Sequence, residues 1–185
     1  MVKALKKDAT YADLVAVPEH FVAEIFDGEL YASPRPASRH EHAMGVLYHK
    51  LIGPFQEGEN GPGDWLFLIE PELHFGADVL VPDVAGWRRE RMPVMVDVPF
   101  FTLAPDWMCE VLSPSTEPID RRKKLPIYAR AGVTHAWLVE PRERRLEVLR
   151  RAEHAWAKVG EYRGETAVRA EPFAAVELAL RALWL

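Results

Sequence analysis

Taken as a string of apolar and polar positions, the chain alternates short hydrophobic runs with breaks rich in charge, glycine and proline. FVAEIF and ELYA flank Asp27-Gly28, so a β-hairpin with a two-residue turn is expected over 21–32. Ahead of it, Thr10 predicts the cap of a short helix reaching Val17 and ended by Pro18. Ser33-Pro34-Arg35-Pro36 predicts a rigid extended linker. Ser38 with Glu41 three residues on then reads as a capping box, and Met44, Leu47, Tyr48 and Leu51 recur at helical spacing until Gly53-Pro54. Residues 65–75 and 77–87 are expected to be successive strands, the first interrupted near Pro71. In the second, alternation places Val79, Val81, Asp83, Ala85 and Trp87 on one side, so a carboxylate stands in an apolar row. Glu24 stands likewise between Val22 and Phe26. Residues 88–101 read as a loop, charged at its start and apolar at its end.

The densest signal is DWMCEVLSPSTEPIDRRKKLPIY, residues 106–128. Trp107, Met108, Cys109, Val111 and Leu112 make a strand buried on both faces, with Glu110 in its middle. An isolated ionised carboxylate is costly there, so Glu110 needs a proton, a cation or a metal. Turn and cap residues 113–116 lead into a helix expected over 118–131 and stopped by Gly132. Asp120, Lys124 and Tyr128 are four apart, which stacks them on one helical face and aims a lysine back at the strand end. Pro126 predicts a kink in that helix. VTHAWLVE, residues 133–140, follows as a strand and completes a crossover suited to a parallel pair. A hairpin over 145–151 and 155–159, then a last strand around Val176, Leu178 and Leu180, close the pattern.

Length and composition change this picture little: 185 residues, 49% hydrophobic and 28% charged, suit one globular domain spanning 1–185. With Cys109 the sole cysteine, no internal disulfide can form, and MVKALKKDAT lacks the apolar stretch of a signal peptide. No segment is long and apolar enough to span a membrane, so a cytoplasmic location is expected. The net charge of −5 argues against a surface coated for non-specific nucleic-acid binding, yet residues 121–151 hold ten basic side chains against three acidic ones. A local basic face and an ordinary solvated surface fit that run equally. The acidic total and small size favour a homodimer, which would assemble more basic surface for a duplex.

Several chemistries are disfavoured by spacing. His40, His42 and His49 lack the four-residue separation of a helical zinc pair. The glycine-rich residues 57–63 lack the Gly-Lys-Ser/Thr of a phosphate loop, and neither Ser113 nor Ser115 sits in a Gly-x-Ser-x-Gly elbow. What remains is Asp83 and Glu110 on separate buried strands with a lysine on the helix that follows. Two such carboxylates suit magnesium, which takes oxygen ligands, water and substrate phosphate, while the lysine would orient or help deprotonate water. Phosphodiester hydrolysis is the implied reaction. A binding or assembly protein in which the same groups form a buried ion-pair network is the alternative.

The segments EIFDGEL, SPRPASRH, VPDVAGW, CEVLSPST, DRRKKLPIY and GVTHAWLVEP, in that order, resemble the Uma family of putative restriction endonucleases within the PD-(D/E)XK nuclease superfamily. The resemblance implies a restriction-endonuclease-like α/β fold, a mixed central sheet flanked by helices. It implies DNA as substrate, Asp83 and Glu110 as ligands of magnesium, with manganese as a substitute, and Glu24 and His40 as further site residues. Leu112 stands where the superfamily pattern expects lysine, and families with a displaced lysine imply Lys124 in its place, with Lys123 second. His135-Ala136 departs from the family's more usual acidic residue and tyrosine.

Overall fold

Two sheets carry the architecture in the computed structural model, which describes residues 4–153 and 155–185. Residues 1–3 and His154 lie outside the described residues. The smaller sheet begins with β1 (Phe21–Phe26) and β2 (Glu29–Pro34), antiparallel across Asp27-Gly28. Both turn residues have positive φ, 50° and 77°, the arrangement whose twist matches a hairpin and which Asp-Gly tolerates. Thr10 caps α1 (Tyr11–Val15) through a reciprocal box with Asp13, two residues short of the expected end. Lys6 and Leu30 bridge the N-terminal segment to β2.

The stretch 65–87 is not two strands but four, divided between the sheets. β3 (Trp65–Ile69) and β6 (Val84–Arg88) pair with each other in the larger sheet, whereas β4 (Leu73–Phe75) and β5 (Asp78–Leu80) join β1 in the smaller one. The breaks fall where the backbone chemistry demands them. Gly76 turns the chain at φ 69°, and Pro82, which has no N–H to give a ladder, ends β5. The smaller sheet is therefore ordered β2-β1-β5-β4.

The larger sheet has the order β10 (Ala155–Arg163), β9 (Arg145–Ala152), β8 (His135–Glu140), β7 (Trp107–Val111), β6, β3. Only β7 and β8 are parallel, and residues 117–131 form the crossover between them, as the strand, helix, strand pattern predicts. That crossover is a composite: α3 (Glu117–Ile119), a π-helical turn (Asp120–Lys124) and α4 (Leu125–Ala131). Leu125 N–H reaches back to the Asp120 carbonyl, so the ladder widens just before Pro126, and the proline falls at the start of α4 where a missing N–H costs least. Gly132, at φ 97°, ends it in the left-handed region.

α2 (Ser38–Leu51) starts one residue earlier than a Ser38 cap requires. Ala37 is the N-cap, its carbonyl accepting from His40 and Glu41, and Ser38 makes no capping bond. Nor does Gly53-Pro54 stop the coil at once, because a π-helical turn carries it on through Ile52–Glu57. The tail adds no strand to the central sheet. β11 (Ala167–Val168) pairs with β12 (Leu178–Ala179), and a short 3-10 turn, Leu180–Leu183, follows.

Alternation along β7 sends Trp107, Cys109 and Val111 to one face of the sheet and Met108, Glu110 and Leu112 to the other. α2 covers the first face with Ala43, Leu47 and Leu51, over an aromatic cluster in which Phe173 lies about 5 Å from the rings of Trp65, Trp107 and Phe55 (5.0 Å at Trp107). α4 covers the second with Leu125, Ile127 and Tyr128. Glu110 thus points under the crossover helix. Among the described residues no helix is long and apolar enough to cross a membrane.

Candidate active site

Between β5 and β6 the chain leaves one sheet for the other at Val81-Pro82-Asp83, and this junction builds the site. Val81 has no ladder partner there, so its peptide groups are met by side chains: its N–H donates to Glu24 Oε1 at 2.8 Å, and its carbonyl accepts from Lys124 Nζ at 3.0 Å. Lys124 Nζ also lies 2.9 Å from Glu24 Oε1 and 2.8 Å from Glu110 Oε1, with Asp120 Oδ1 at 4.0 Å. Tyr128 Oη donates to the same Glu110 oxygen at 3.0 Å. The four-residue spacing of Asp120, Lys124 and Tyr128 therefore does put them on one face, despite the π-helical turn.

Asp83 stands directly before Val84, which pairs with Cys109, so it lies beside Glu110 across the two strands. Its Oδ2 accepts from the Val111 N–H at 2.6 Å and lies 3.2 Å from His40 Nε2, which the first turn of α2 supplies. The other ring nitrogen of His40 is buried without a partner. Asp83, Glu110 and Lys124, distant along the chain, meet in one place, and Glu24 and His40 join them.

The cluster is short of positive charge. Glu24, Asp83, Glu110 and Asp120 face one lysine and one histidine, and Glu110 and Lys124 are each only 3% exposed. Burial pushes the Glu110 carboxyl well up against the pull of Lys124, and Asp120, Asp83 and Glu24 add to the rise. Asp120 is pushed up to about 7, again by burial opposed by Lys124. For Lys124 burial acts downward, but Glu110 and Glu24 outweigh it and hold the ammonium above its usual range. Burial pulls His40 down, but Asp83, with Asp120 and Glu70, raises it on balance. Tyr128 is raised by burial and by Glu110. Carboxyls such as Glu110 and Asp120, which burial pushes toward their protonated forms, are groups that a cation would relieve.

These residues floor an open cavity of about 510 Å³. Among the described residues, neither Asp83 Oδ1 nor Glu110 Oε2 has a hydrogen-bonding partner, and no three His, Cys, Asp or Glu side chains form a ready cage. The donor set fits an ion content with two carboxylate oxygens, water and substrate oxygens, which is magnesium-like and unlike structural zinc. His42 Nε2 instead meets the Ala182 carbonyl at 3.2 Å.

Lys123 turns away to Glu29 at 3.4 Å and Asp27 at 3.9 Å, leaving Lys124 as the lysine of the cluster. Ser113, Ser115 and Thr116 bond one another as a turn at the cavity wall. Two site features escape a reading of the residues alone. Asp120 is a fourth buried carboxylate, signalled only by its place in the four-residue series. Arg39 and Arg142 line the cavity, and nothing in the pattern marks them.

Comparison with known proteins gives a family and a fold. The family model Uma2, described as putative restriction endonuclease, matches residues 9–182. A crystal structure described as a putative nuclease belonging to DUF820 from Anabaena variabilis has a similar fold, with a TM-score of 0.75 at 20% identity over 95% of this chain and 97% of that one. A search of curated protein sequences finds no match.

Proposed function

We propose, for a chain that belongs to the Uma2 family of putative restriction endonucleases, that it hydrolyses phosphodiester bonds of DNA with the help of magnesium, manganese serving as a substitute. The observation that carries this reading is the meeting of Asp83, Glu110 and Lys124 at the floor of an open cavity. Asp83 and Glu110 would hold the ion through the oxygens that point away from Val111 and Tyr128. Once bound, the ion supplies Lewis acidity at a phosphoryl oxygen.

The chain's own groups do the rest. Val111 N–H and His40 hold Asp83 in place, and Tyr128 with Lys124 holds Glu110. Because its neighbours raise it, Lys124 stays an ammonium at neutral pH. It cannot take a proton from water, and it acts by fixing the two glutamates and offsetting negative charge as the phosphoryl centre becomes five-coordinate. Proton removal from the attacking water falls to a carboxylate, and Glu24 and Asp120 lie beside it. A single nuclease-like domain, working in the cytoplasm as a homodimer, completes the proposal.

A second reading, a catalytically silent binding or assembly protein, draws on the engagement of Lys124 with Glu24, Glu110 and Val81, which forms a closed ion-pair network. Plasmid nicking in magnesium separates the two. Wild type is expected to nick supercoiled DNA, and Asp83→Ala and Glu110→Ala to lose at least a hundredfold of that rate. Equal rates in all three, or no cleavage by wild type of supercoiled, linear or denatured DNA, would favour the silent protein.

A further inference from the structure

We propose that the cavity takes unpaired nucleic acid, a strand end or a single-stranded stretch, and that Arg39 and Arg142 are the clamps for its phosphates; the proposal rests on the nuclease reading above.

The basic run at 121–151 is largely neutralised in the folded chain. Arg121 pairs with Glu117 and Glu147, Lys123 with Glu29, Arg130 with Asp27, Arg144 with Glu165, Arg145 with Glu147 and Arg150 with Glu171. Lys124 is buried among carboxylates. Among the described residues of this run outside the cavity, only Arg122 and Arg151 lack an acidic partner, too few for the row of cations that a duplex calls for, with a phosphate charge every ~1.7 Å along its axis.

Positive charge also survives at the cavity, next to the carboxylates. Arg39, on the first turn of α2 beside His40, and Arg142, just beyond the end of β8, both line it and are exposed, and neither guanidinium has an acidic partner among the described residues. Arg142 is positioned by its own N–H, which donates to Glu140 Oε1 at 3.0 Å. Arg35, also on the wall, is already paired with Glu70 at 3.1 Å. A free guanidinium presents a planar fork of donors matched to two phosphate oxygens.

Depth selects between strand forms. Glu110 is 3% exposed and the Asp83 side chain 14% exposed, so the reacting phosphate must descend to a recessed floor. A single strand can bend its backbone into a cavity of about 510 Å³ with bases splayed outward, whereas a stacked duplex keeps its phosphates on the outside of a stiff rod. Two clamps flanking a recessed metal-binding floor are a site for a flexible strand.

The test is fluorescence anisotropy on the full chain in calcium buffer. The probes are a labelled oligothymidylate of about a dozen nucleotides, within the span of known single-strand sites, and a blunt duplex of equal length. Wild type is expected to bind the single strand at least tenfold more tightly than the duplex. Two phosphate contacts on a single strand predict a slope of about −1.4 in log K against log salt. Arg39→Gln and Arg142→Gln should each weaken binding by roughly tenfold and halve that slope, and the double variant should flatten it. Arg181→Gln, which removes an exposed charge outside the cavity, should change neither. Duplex binding as tight as single-strand binding, or clamp variants that match wild type, overturns the inference. If magnesium nicking by wild type and its loss in Asp83→Ala persist alongside that result, the nuclease reading still stands. Failure of wild type to bind or cleave any nucleic acid removes both.

Discussion

Lys124→Met is the substitution with the sharpest expected consequence for stability. Methionine fills a similar volume, so the change removes charge with little cavity. Left behind are Glu24 and Glu110, which had an ammonium at 2.9 and 2.8 Å, and a Val81 carbonyl that loses its donor at 3.0 Å. Removing one partner of a buried ion pair costs about 3–5 kcal/mol, because the surviving charge has neither water nor a counter-ion. With a urea dependence of ~2 kcal/mol/M, that is a fall in midpoint of roughly 1.5–2.5 M, followed by tryptophan fluorescence. The loss should depend on pH. Without Lys124 the Glu110 carboxyl, already raised by burial, rises further, so the folded variant holds a proton that the unfolded chain releases above about pH 4.3. The gap to wild type is therefore small at pH 4.5 and widens toward pH 8. A loss under ~1 kcal/mol at pH 8, or one equal at both pH values, would refute the claim that Lys124 compensates buried carboxylates. Adding Glu110→Gln to Lys124→Met should recover part of the loss, since one stranded charge is then gone.

Asp120, pushed up to about 7, keeps a proton in the folded state that the unfolded chain has lost, so it makes stability fall as pH rises from about 4 to 7. Asp120→Asn should flatten that slope in urea titrations run in EDTA; an unchanged slope would show that the proton resides elsewhere. Phe173→Ala removes the ring around which Phe55, Trp65 and Trp107 pack and should cost about 3–5 kcal/mol by the same denaturation, whereas less than ~1 kcal/mol would mean the tail is not part of the core. At Gly86, an added Cβ would come within 2.8 Å of the Phe67 ring, so Gly86→Ala should destabilise by about 1–3 kcal/mol, read as a lower thermal midpoint, and a neutral result would show that the aromatic layer yields.

Which parts of this were legible in the residues follows from where the physics is local. Asp27-Gly28 announces its hairpin because a turn with two positive φ angles has few solutions. Glu110 and Asp83 stand out because a carboxylate amid apolar neighbours has to be answered by something, and the four-residue series on 120–128 names the answering lysine. The transfer of the chain between sheets at Val81-Pro82-Asp83 is not legible, since unbroken alternation through 79–87 reads as one strand, and the switch depends on which sheet offers a partner. The π-helical turn at 120–124 is likewise invisible to a pattern of side chains; it ends just before Pro126 and presents Lys124 to Glu24 and Glu110. Ser38 misled because Ala37 offers its carbonyl to the helix first. Lys123 and Lys124 are adjacent and alike, and only the packing of α4 on β7 decides which one is buried.

Asp83 and Glu110 are proposed to share a divalent ion, and calorimetric titration of the chain with magnesium and with manganese asks for that ion directly. One ion bound per chain by wild type, with binding lost in Asp83→Ala and in Glu110→Ala but kept in Phe173→Leu, is the predicted result. No heat of binding with either metal, or binding that Asp83→Ala leaves intact, would contradict it.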